Sequence, residues 1–422
     1  MGPAGSDIPK AMLEFDGTPL IEHQLKLLAR HGIRDVVLCL GHGAERIRDA
    51  MGDGDRLGLT LRYSVETEPL GTAGAVAQAL PLLADEFLVL YSDLMLDMDL
   101  DRLFAFHRNS MAVCTLVVHP NDHPEDSDLV ELGPGKRVIA FHRKPRPLGL
   151  MLPNLANSAL FVMSKQAMVG IEPDRFMDFG ADVFPRLVLE QPVFGYVTPE
   201  YIKDIGTPER YLEVTQDVAS GRVSRLHSRN PRCAVFLDRD GIINEDRGLI
   251  HDPDQFQLLP GVSEAILRIN RSDFLAIVVT NQSVVARNLC SMETVDAIHR
   301  KMEALLARDG AWLDAVHFCP HHPDSGYPGE NSAYKVACEC RKPGIGMILR
   351  ARGEFNIDLP GSFMIGDSWR DIMAGRNAGM PAIRVGPPGA DDPDEAVPDA
   401  AFDTLAEAVD HVLRTANGRT AT

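Results

Sequence analysis

Basic residues are scarce relative to acidic ones. Against 60 Asp and Glu there are only 42 Lys and Arg, a formal net charge of −18 at pH 7 over 422 residues. A field of that sign repels phosphate backbones and excludes general nucleic-acid binding, so a phosphorylated ligand would have to meet a local positive site or a metal ion. Long apolar runs are also missing. No stretch approaches the ~20 residues of a membrane span, and no charged-then-apolar leader opens the chain, so neither a membrane nor export is expected. Internal repeats and low-complexity tracts are absent, and 45 % hydrophobic with 24 % charged residues is the globular mix, not that of a disordered, collagenous or coiled-coil chain. Cysteine is sparse: seven residues, at 39, 114, 233, 290, 319, 338 and 340. An odd, scattered set argues for the reducing cytoplasm over a disulfide framework, and the crowding of the last three points to metal.

What is present organises into two α/β halves. The length allows two or three domains at ~150 residues each. Asp35–Leu40, Leu59–Ser64 and Phe87–Tyr91 read as strands, with helical periodicity at Pro19–Arg30 and Thr72–Leu83 between them. Such alternation predicts a mostly parallel sheet covered on both faces. It pauses over the polar Asp217–Arg232, read as the linker. A second series starts at Ala234–Leu237 and continues through Leu275–Thr280, Ser362–Ile365 and Ala382–Val385. Helical runs at Gly261–Asn270, Met292–Arg308 and Trp369–Gly375 intervene, with a last helix at Thr404–Arg414. The expected domains are 1–220, a linker at 221–232, and 233–416.

In the second half, Phe236-Leu237-Asp238-Arg239-Asp240-Gly241 carries an apolar strand straight into two carboxylates. That spacing puts both at the carboxyl end of a strand, where open α/β sheets hold ligands. One can attack phosphorus while the other protonates the leaving oxygen and then activates water. A solvated turn is the plain alternative for this segment alone. Two more strands also end in polar groups, at Thr280-Asn281-Gln282 and at Gly366-Asp367-Ser368, with Asp371 beyond the latter. Asp367 with Asp238 would supply hard oxygen ligands for Mg²⁺, and Lys342 would neutralise the nucleophile and the transferred group.

The order Asp-x-Asp-Gly, Thr-Asn, Lys, Gly-Asp over Val235–Val385 resembles the haloacid-dehalogenase-like phosphatases. The resemblance implies Asp238 as the nucleophile forming an aspartyl-phosphate and Asp240 as general acid and base. Thr280, Asn281, Gln282, Arg287 and Arg341 would bind substrate phosphate, and Lys342 would stabilise charge. Mg²⁺ would sit on Asp238, the Asp240 carbonyl and Asp367. Asp371 either orients Lys342 or the metal shell, or caps the helix starting near Trp369.

The cysteine cluster adds a second metal. Cys319, His321, Cys338 and Cys340 form a Cys-x-His … Cys-x-Cys set, a closed four-ligand site of the kind structural zinc uses, within the loop 319–340. His322 is the neighbouring alternative ligand, and three buried free thiols with a surface histidine are the metal-free alternative. Such a zinc would order a loop just before Lys342 and shape the substrate pocket. With these, Asp238–Asn244, Thr280–Ser283, Cys319–Pro323 and Cys338–Pro343 resemble the D-glycero-D-manno-heptose 1,7-bisphosphate 7-phosphatases, with histidinol-phosphate phosphatases as close relatives. Departures are Val284, where glycine is common, and Ser368, where a basic residue is common.

In the first half, Asp7–Leu13, Gly17–Ile21, Glu68–Gly74, Tyr91-Ser92-Asp93 and Tyr201–Pro208 together resemble the sugar-phosphate nucleotidylyltransferases. The implied site uses Asp93 and Asp204 for Mg²⁺ and Lys10 against triphosphate charge. Gly71 and Gly74 would let backbone amides approach the base or sugar, Lys144 would bind the sugar phosphate, and Asn157 the sugar. That family opens with a buried strand and a Gly-rich loop ending in Gly-Thr-Arg, whereas only Met1–Ser6 precede Asp7 here. Arg143 stands where glutamate is usual, and Ser158-Ala159 where Ala-Gly is usual. The domain is therefore expected to lack its first strand, through a start cut short or through loss of nucleotidyl transfer.

The expectation is a cytoplasmic enzyme of two Rossmann-like α/β domains, using Mg²⁺ and structural Zn²⁺ on a sugar phosphate and a nucleoside triphosphate. The phosphatase would release the 7-phosphate of heptose 1,7-bisphosphate. The transferase would convert heptose 1-phosphate to a nucleotide-heptose, with GTP preferred to ATP. The alternatives are a histidinol-phosphate phosphatase, or a phosphatase whose first domain only binds sugar nucleotide.

Overall fold

The computed structural model describes residues 8–147, 150–173, 175–326, 328–390 and 392–419. Met1–Asp7, including the first residue of the Asp7–Leu13 motif, lie outside the described residues. The chain divides into two compact units, one of residues 1–119, 125–146 and 155–228, the other of 120–124, 147–154 and 229–422.

In the first unit, β1 (Asp35–Leu40) and β2 (Thr60–Val65) form a parallel pair. A larger sheet contains β3 (Glu86–Leu90), β5 (Cys114–His119), β6 (Leu129–Leu132), β7 (Val138–His142), β8 (Ala156–Ser164) and β9 (Val193–Val197). Its long strand β8 runs antiparallel to both β3 and β5, so the mostly parallel sheet expected from the alternation is not formed. The reason lies in the connection. Between β5 and β8 the chain makes the β6–β7 hairpin, and only a long crossover returns a strand in the same direction. A third, antiparallel pair joins β4 (Leu94–Asp97) to β10 (Tyr201–Asp204).

Helices α1 (Leu20–Arg30) and α2 (Gly71–Ala79) lie near the positions read from periodicity. The segment read as a linker is partly helical instead. Helix α3 (Pro208–Ala219) extends into it and α4 (Arg222–Arg225) follows, with Leu226 and His227 buried. Leu226 belongs to a core cluster with Phe15, Leu20, Met95, Tyr201 and Val214, and Val218 and Val223 pack against it. Three spaced apolar residues in a polar window bury one face, which average composition conceals.

The second unit is built on six parallel strands: β11 (Ala234–Leu237), β12 (Leu275–Asn281), β13 (Ala315–Cys319), β14 (Phe363–Gly366), β15 (Ala382–Val385) and β16 (Ala400–Phe402). Their order is β13-β12-β11-β14-β15-β16. Alternate residues of β11 serve opposite layers: Val235 and Leu237 join one core cluster, Ala234 and Phe236 the other. Helix α5 (Val262–Arg271) buries Val262, Ala265, Ile266 and Ile269 on one stripe. Helices α6 (Met292–Arg308), α7 (Gly346–Phe355), α8 (Trp369–Asn377) and α9 (Leu405–Arg419) complete the layers. Strand order reverses between β11 and β14, and the crevice beyond their carboxyl ends is where a doubly wound sheet holds its ligand.

Candidate active site

Asp238 follows β11 and Asp367 follows β14, which places both at that reversal point. The Asp238 amide donates to Ile365 O at 3.0 Å, locking the two strand ends together. A Cβ at Gly241, whose φ is +79°, would collide with the Asp367 carboxylate, and one at Gly366 would collide with Asp371. Both glycines are thus dictated by close approach of the carboxylates.

Lys342 Nζ, with its side chain 2 % exposed, lies 2.8 Å from Asp238 Oδ1 and 2.5 Å from Asp371 Oδ1. The two carboxylates hold it as an ammonium against the burial that would otherwise discharge it. Asp238, Asp367 and Asp371 offer oxygens within 4.8 Å of one another, so three carboxylates face one ammonium. Burial, and then Asp238 and Asp371, push the Asp367 carboxyl up to about 7. Burial likewise raises Asp238 to about 6, with Lys342 pulling against it and Asp371 adding to it. Hard oxygens with uncompensated charge fit a small divalent cation such as Mg²⁺.

The third carboxylate of this set is Asp371, while the Asp240 side chain turns elsewhere. Asp240 accepts from Arg239, from Asn244 Nδ2 at 3.0 Å and from Gln282 Nε2 at 2.8 Å. Asp371 serves both readings offered for it. Its Oδ2 accepts from Ser368 N and Oγ at the start of α8, and its Oδ1 faces Lys342.

Thr280, Asn281 and Gln282, expected to face phosphate, have internal partners. Asn281 clamps the Lys342 backbone, accepting from its N–H at 3.0 Å and donating to its carbonyl at 3.1 Å. Gln282 Nε2 also donates to Thr280 Oγ1 at 3.0 Å. Arg287 is exposed, and Arg341 donates to His321 O at 3.3 Å. Burial lowers the Arg341 guanidinium, and the positive charges of Arg370 and Arg287 lower it further. Arg370 carries no motif signal in the sequence, and only folding places its charge near Arg341.

The four residues Cys319, His321, Cys338 and Cys340 converge, each offering one atom within 4.8 Å of the rest. Cys340 Sγ lies 3.2 Å from Cys319 Sγ, 3.3 Å from Cys338 Sγ and 3.3 Å from His321 Nδ1. This donor set fits one tetrahedral ion. His322 points elsewhere, its Nδ1 accepting from the Asp324 amide at 3.2 Å. All seven cysteines are free thiols.

In the first unit, Asp93 and Asp204 lie at neighbouring strand ends, and the Ile205 amide donates to Asp93 O at 3.0 Å. Both carboxylates meet cations of the chain. Lys10 Nζ is 3.7 Å from Asp93, and Arg210 Nη1 is 2.5 and 2.6 Å from the two Asp204 oxygens. Lys144 pairs with Asp126 at 2.8 Å, and Arg210 reaches the other Asp126 oxygen at 3.2 Å. Asn157 Oδ1 is buried with no hydrogen-bond partner among the described residues.

At Gly74 the structure departs from the expectation. Amides of Ala73 and Gly74 donate to Met177 O at 2.9 and 3.2 Å, so the chain itself covers them. A Cβ on Gly71 would stand 2.5 Å from that carbonyl, and one on Gly74 would collide with Arg175 O. The glycines admit a segment a hundred residues away, which no local motif announces. A cavity of about 330 Å³ opens beside α2, lined by Leu40, Glu66, Thr72, Gln78 and Phe176 among others. Among the described residues no helix is long and apolar enough to cross a membrane.

The nucleotidyl transferase family matches residues 2–221, and the HAD-hydrolase-like family matches residues 339–408. The D-glycero-beta-D-manno-heptose-1,7-bisphosphate 7-phosphatase of Vibrio cholerae is 39 % identical over 184 residues, covering 43 % of this chain and 96 % of that one. A solved D,D-heptose 1,7-bisphosphate phosphatase from B. bronchiseptica, complexed with magnesium and phosphate, is 33 % identical, with a TM-score of 0.37, over 43 % of this chain and 99 % of that one. HddC from Yersinia pseudotuberculosis, complexed with GMP-PN, is 22 % identical, with a TM-score of 0.45, over 52 % of this chain and 93 % of that one. The chain is therefore an enzyme belonging both to the nucleotidyl transferase family and to the heptose-1,7-bisphosphate 7-phosphatase family of HAD-like hydrolases.

Proposed function

We propose that the second domain, residues 233–416, removes the 7-phosphate of D-glycero-D-manno-heptose 1,7-bisphosphate through an aspartyl-phosphate. In this reading the first domain, residues 1–220, converts the resulting heptose 1-phosphate to a nucleotide-heptose with GTP. The observation that carries the reading is the meeting of Asp238, Asp367, Asp371 and Lys342 at the switch point of the parallel sheet, in a chain with a near-full-length heptose phosphatase relative. Consecutive steps in one chain favour heptose over histidinol phosphate, whose product has no use for a nucleotidyltransferase. In this reading both steps take place in the cytoplasm.

The chemistry follows from the side chains. An Asp238 oxygen attacks phosphorus as the bond from phosphorus to the sugar oxygen breaks, and protonated Asp240 gives its proton to that departing oxygen. The Asp240 carboxylate then takes a proton from water as the water oxygen displaces Asp238 from phosphorus, which frees phosphate and restores both residues. Lys342 offsets the charge that gathers on the phosphoryl oxygens. Mg²⁺, held by Asp238, Asp367 and the Asp240 carbonyl, would draw the substrate phosphate to Asp238 and offset its charge. Zinc on Cys319, His321, Cys338 and Cys340 would order the loop ahead of Arg341 and Lys342.

A second reading of the first unit, binding without transfer, is favoured by the cations of the chain on Asp93 and Asp204. One assay separates the two. Purified protein with Mg²⁺ and heptose 1,7-bisphosphate should release one phosphate and then, given GTP, form GDP-heptose and pyrophosphate. Phosphate release without sugar nucleotide from GTP or ATP would support binding alone. Turnover of histidinol phosphate with none of the bisphosphate would overturn the main reading.

A further inference from the structure

The side chain between the two aspartates is the anomaly. Arg239 is fully buried, at 0 % exposure, in a position where the chemistry as described asks nothing of it. Burying a guanidinium is costly unless its donors are spent. Here they are spent on its own neighbour: Nη2 donates to Asp240 Oδ1 at 2.8 Å and Oδ2 at 2.9 Å, and Nε donates to Oδ1 at 3.1 Å. The remaining nitrogen, Nη1, faces His299 Nε2 at 3.4 Å.

His299 is supported in turn. It sits on α6 among buried residues, its ring edge-on to Phe318 with centroids 5.2 Å apart. Burial and then the Arg239 charge push the imidazole down to about 3, so the ring is neutral and Nε2 can present a lone pair. The backbone folds around the same arginine, since Arg239 O accepts from the amides of Ile243 at 2.8 Å and Asn244 at 3.1 Å. The Asn244 amide donates to Asp240 Oδ1 and the Gln282 amide to Oδ2, so each oxygen has a second fixed partner while the side chain keeps partial exposure.

We propose that Arg239, braced by His299, is the positioning residue that sets the orientation of Asp240 toward the departing sugar oxygen. The inference rests on the proposed role of Asp240 as general acid and deepens it. A planar fork gripping both oxygens stops rotation of the carboxylate, which a lysine at the same place cannot do. Arg239, fully buried and bonded to Asp240, acts only through its neighbour.

The test exploits leaving groups. Expulsion of a sugar alkoxide needs a well-aimed proton donor, whereas p-nitrophenolate leaves without one. We would measure kcat/KM, which reports formation of the aspartyl-phosphate, for heptose 1,7-bisphosphate and for p-nitrophenyl phosphate. Thermal unfolding of each full-length variant serves as the control for folding. In Arg239→Lys the heptose value should fall about 30-fold or more and the p-nitrophenyl value at least about tenfold less. His299→Leu should show the same selectivity at smaller amplitude, and His299→Gln, which keeps an acceptor, should restore it. Asp240→Asn is the reference and should be the most selective of all. Equal losses on both substrates in Asp240→Asn would overturn the acid role itself. Selectivity in Asp240→Asn, with equal losses or none in the folded Arg239 and His299 variants, would overturn the positioning role alone.

Discussion

Asp371 divides its carboxylate between two neighbours: Oδ1 lies 2.5 Å from Lys342 Nζ, and Oδ2 accepts from Ser368 Oγ at 2.6 Å. One buried side chain thereby ties the start of α8 to the ammonium beside Asp238. The Asn281 amide holds the Lys342 backbone from the other side, so the position of Nζ is determined twice.

Asp371→Asn should therefore disturb both activity and stability. Loss of one charge partner from a buried ion pair costs about 3–5 kcal/mol in typical cases. We expect phosphatase kcat to fall at least about tenfold and Tm to drop by several degrees. Steady-state kinetics with calorimetry would check this, and unchanged kcat would remove Asp371 from any role in holding Lys342.

Asp238→Asn should separate the two effects. It removes the nucleophile while relieving the crowding of three buried carboxylates. Phosphate release should disappear with the variant still folded, since Asp371 keeps Lys342 paired. Activity near the parent level would refute the nucleophile assignment.

Metal analysis tests the thiolate cluster. Gently purified protein should carry about one equivalent of zinc, and Cys340→Ser or strong chelation should lower both zinc content and Tm. Less than a tenth of an equivalent in the untreated protein would exclude the zinc site.

A pH effect on stability is expected from Glu303 on α6. Burial pushes its carboxyl from 4.5 up to about 7, with Arg300 pulling it back. The folded state thus holds this proton more tightly than the unfolded state. Its contribution to stability is complete below about 4.5 and is lost as pH rises through about 7. Glu303→Gln should raise Tm at pH 8, by up to about 3 kcal/mol in stability, and change little near pH 4.5. An equal shift at both pH values would show that the effect is not ionic.

The candidate phosphatase site was largely legible because its residues sit at strand ends. A parallel strand buried on both faces is a run of apolar residues, and the polar residue that ends it is conspicuous: Asp238 after Ala234–Leu237, Asp367 after Phe363–Gly366. The cysteine–histidine cluster was legible for a similar reason, since three cysteines and a histidine within 22 residues stand out in a chain with seven cysteines. Less was legible in the first unit. The hairpin of β6 and β7 reverses the chain by pairing across the sheet, and the cover over Gly71 and Gly74 comes from residues 175 and 177.

The sequence by itself determined the two α/β units, the carboxylates and lysine of the proposed phosphatase site, and the cysteine–histidine donor set of the 319–340 loop. Each depends on residue type and on spacing within a few positions, where local geometry decides who can meet whom. Only the tertiary structure decided that Asp371 joins Asp238 and Asp367, that Asn281 and Gln282 serve Lys342 and Asp240 inside the protein, and that a buried arginine grips the second aspartate. Apart from the arginine's grip on its chain neighbour, those pairings follow from which strands lie side by side. The order β12-β11-β14 brings together chain segments more than a hundred residues apart, and local spacing carries no information about that order. The shortage of positive charge acquires a local meaning as well: Lys342, Arg239 and Arg210 at these sites are each already held by aspartates of the chain.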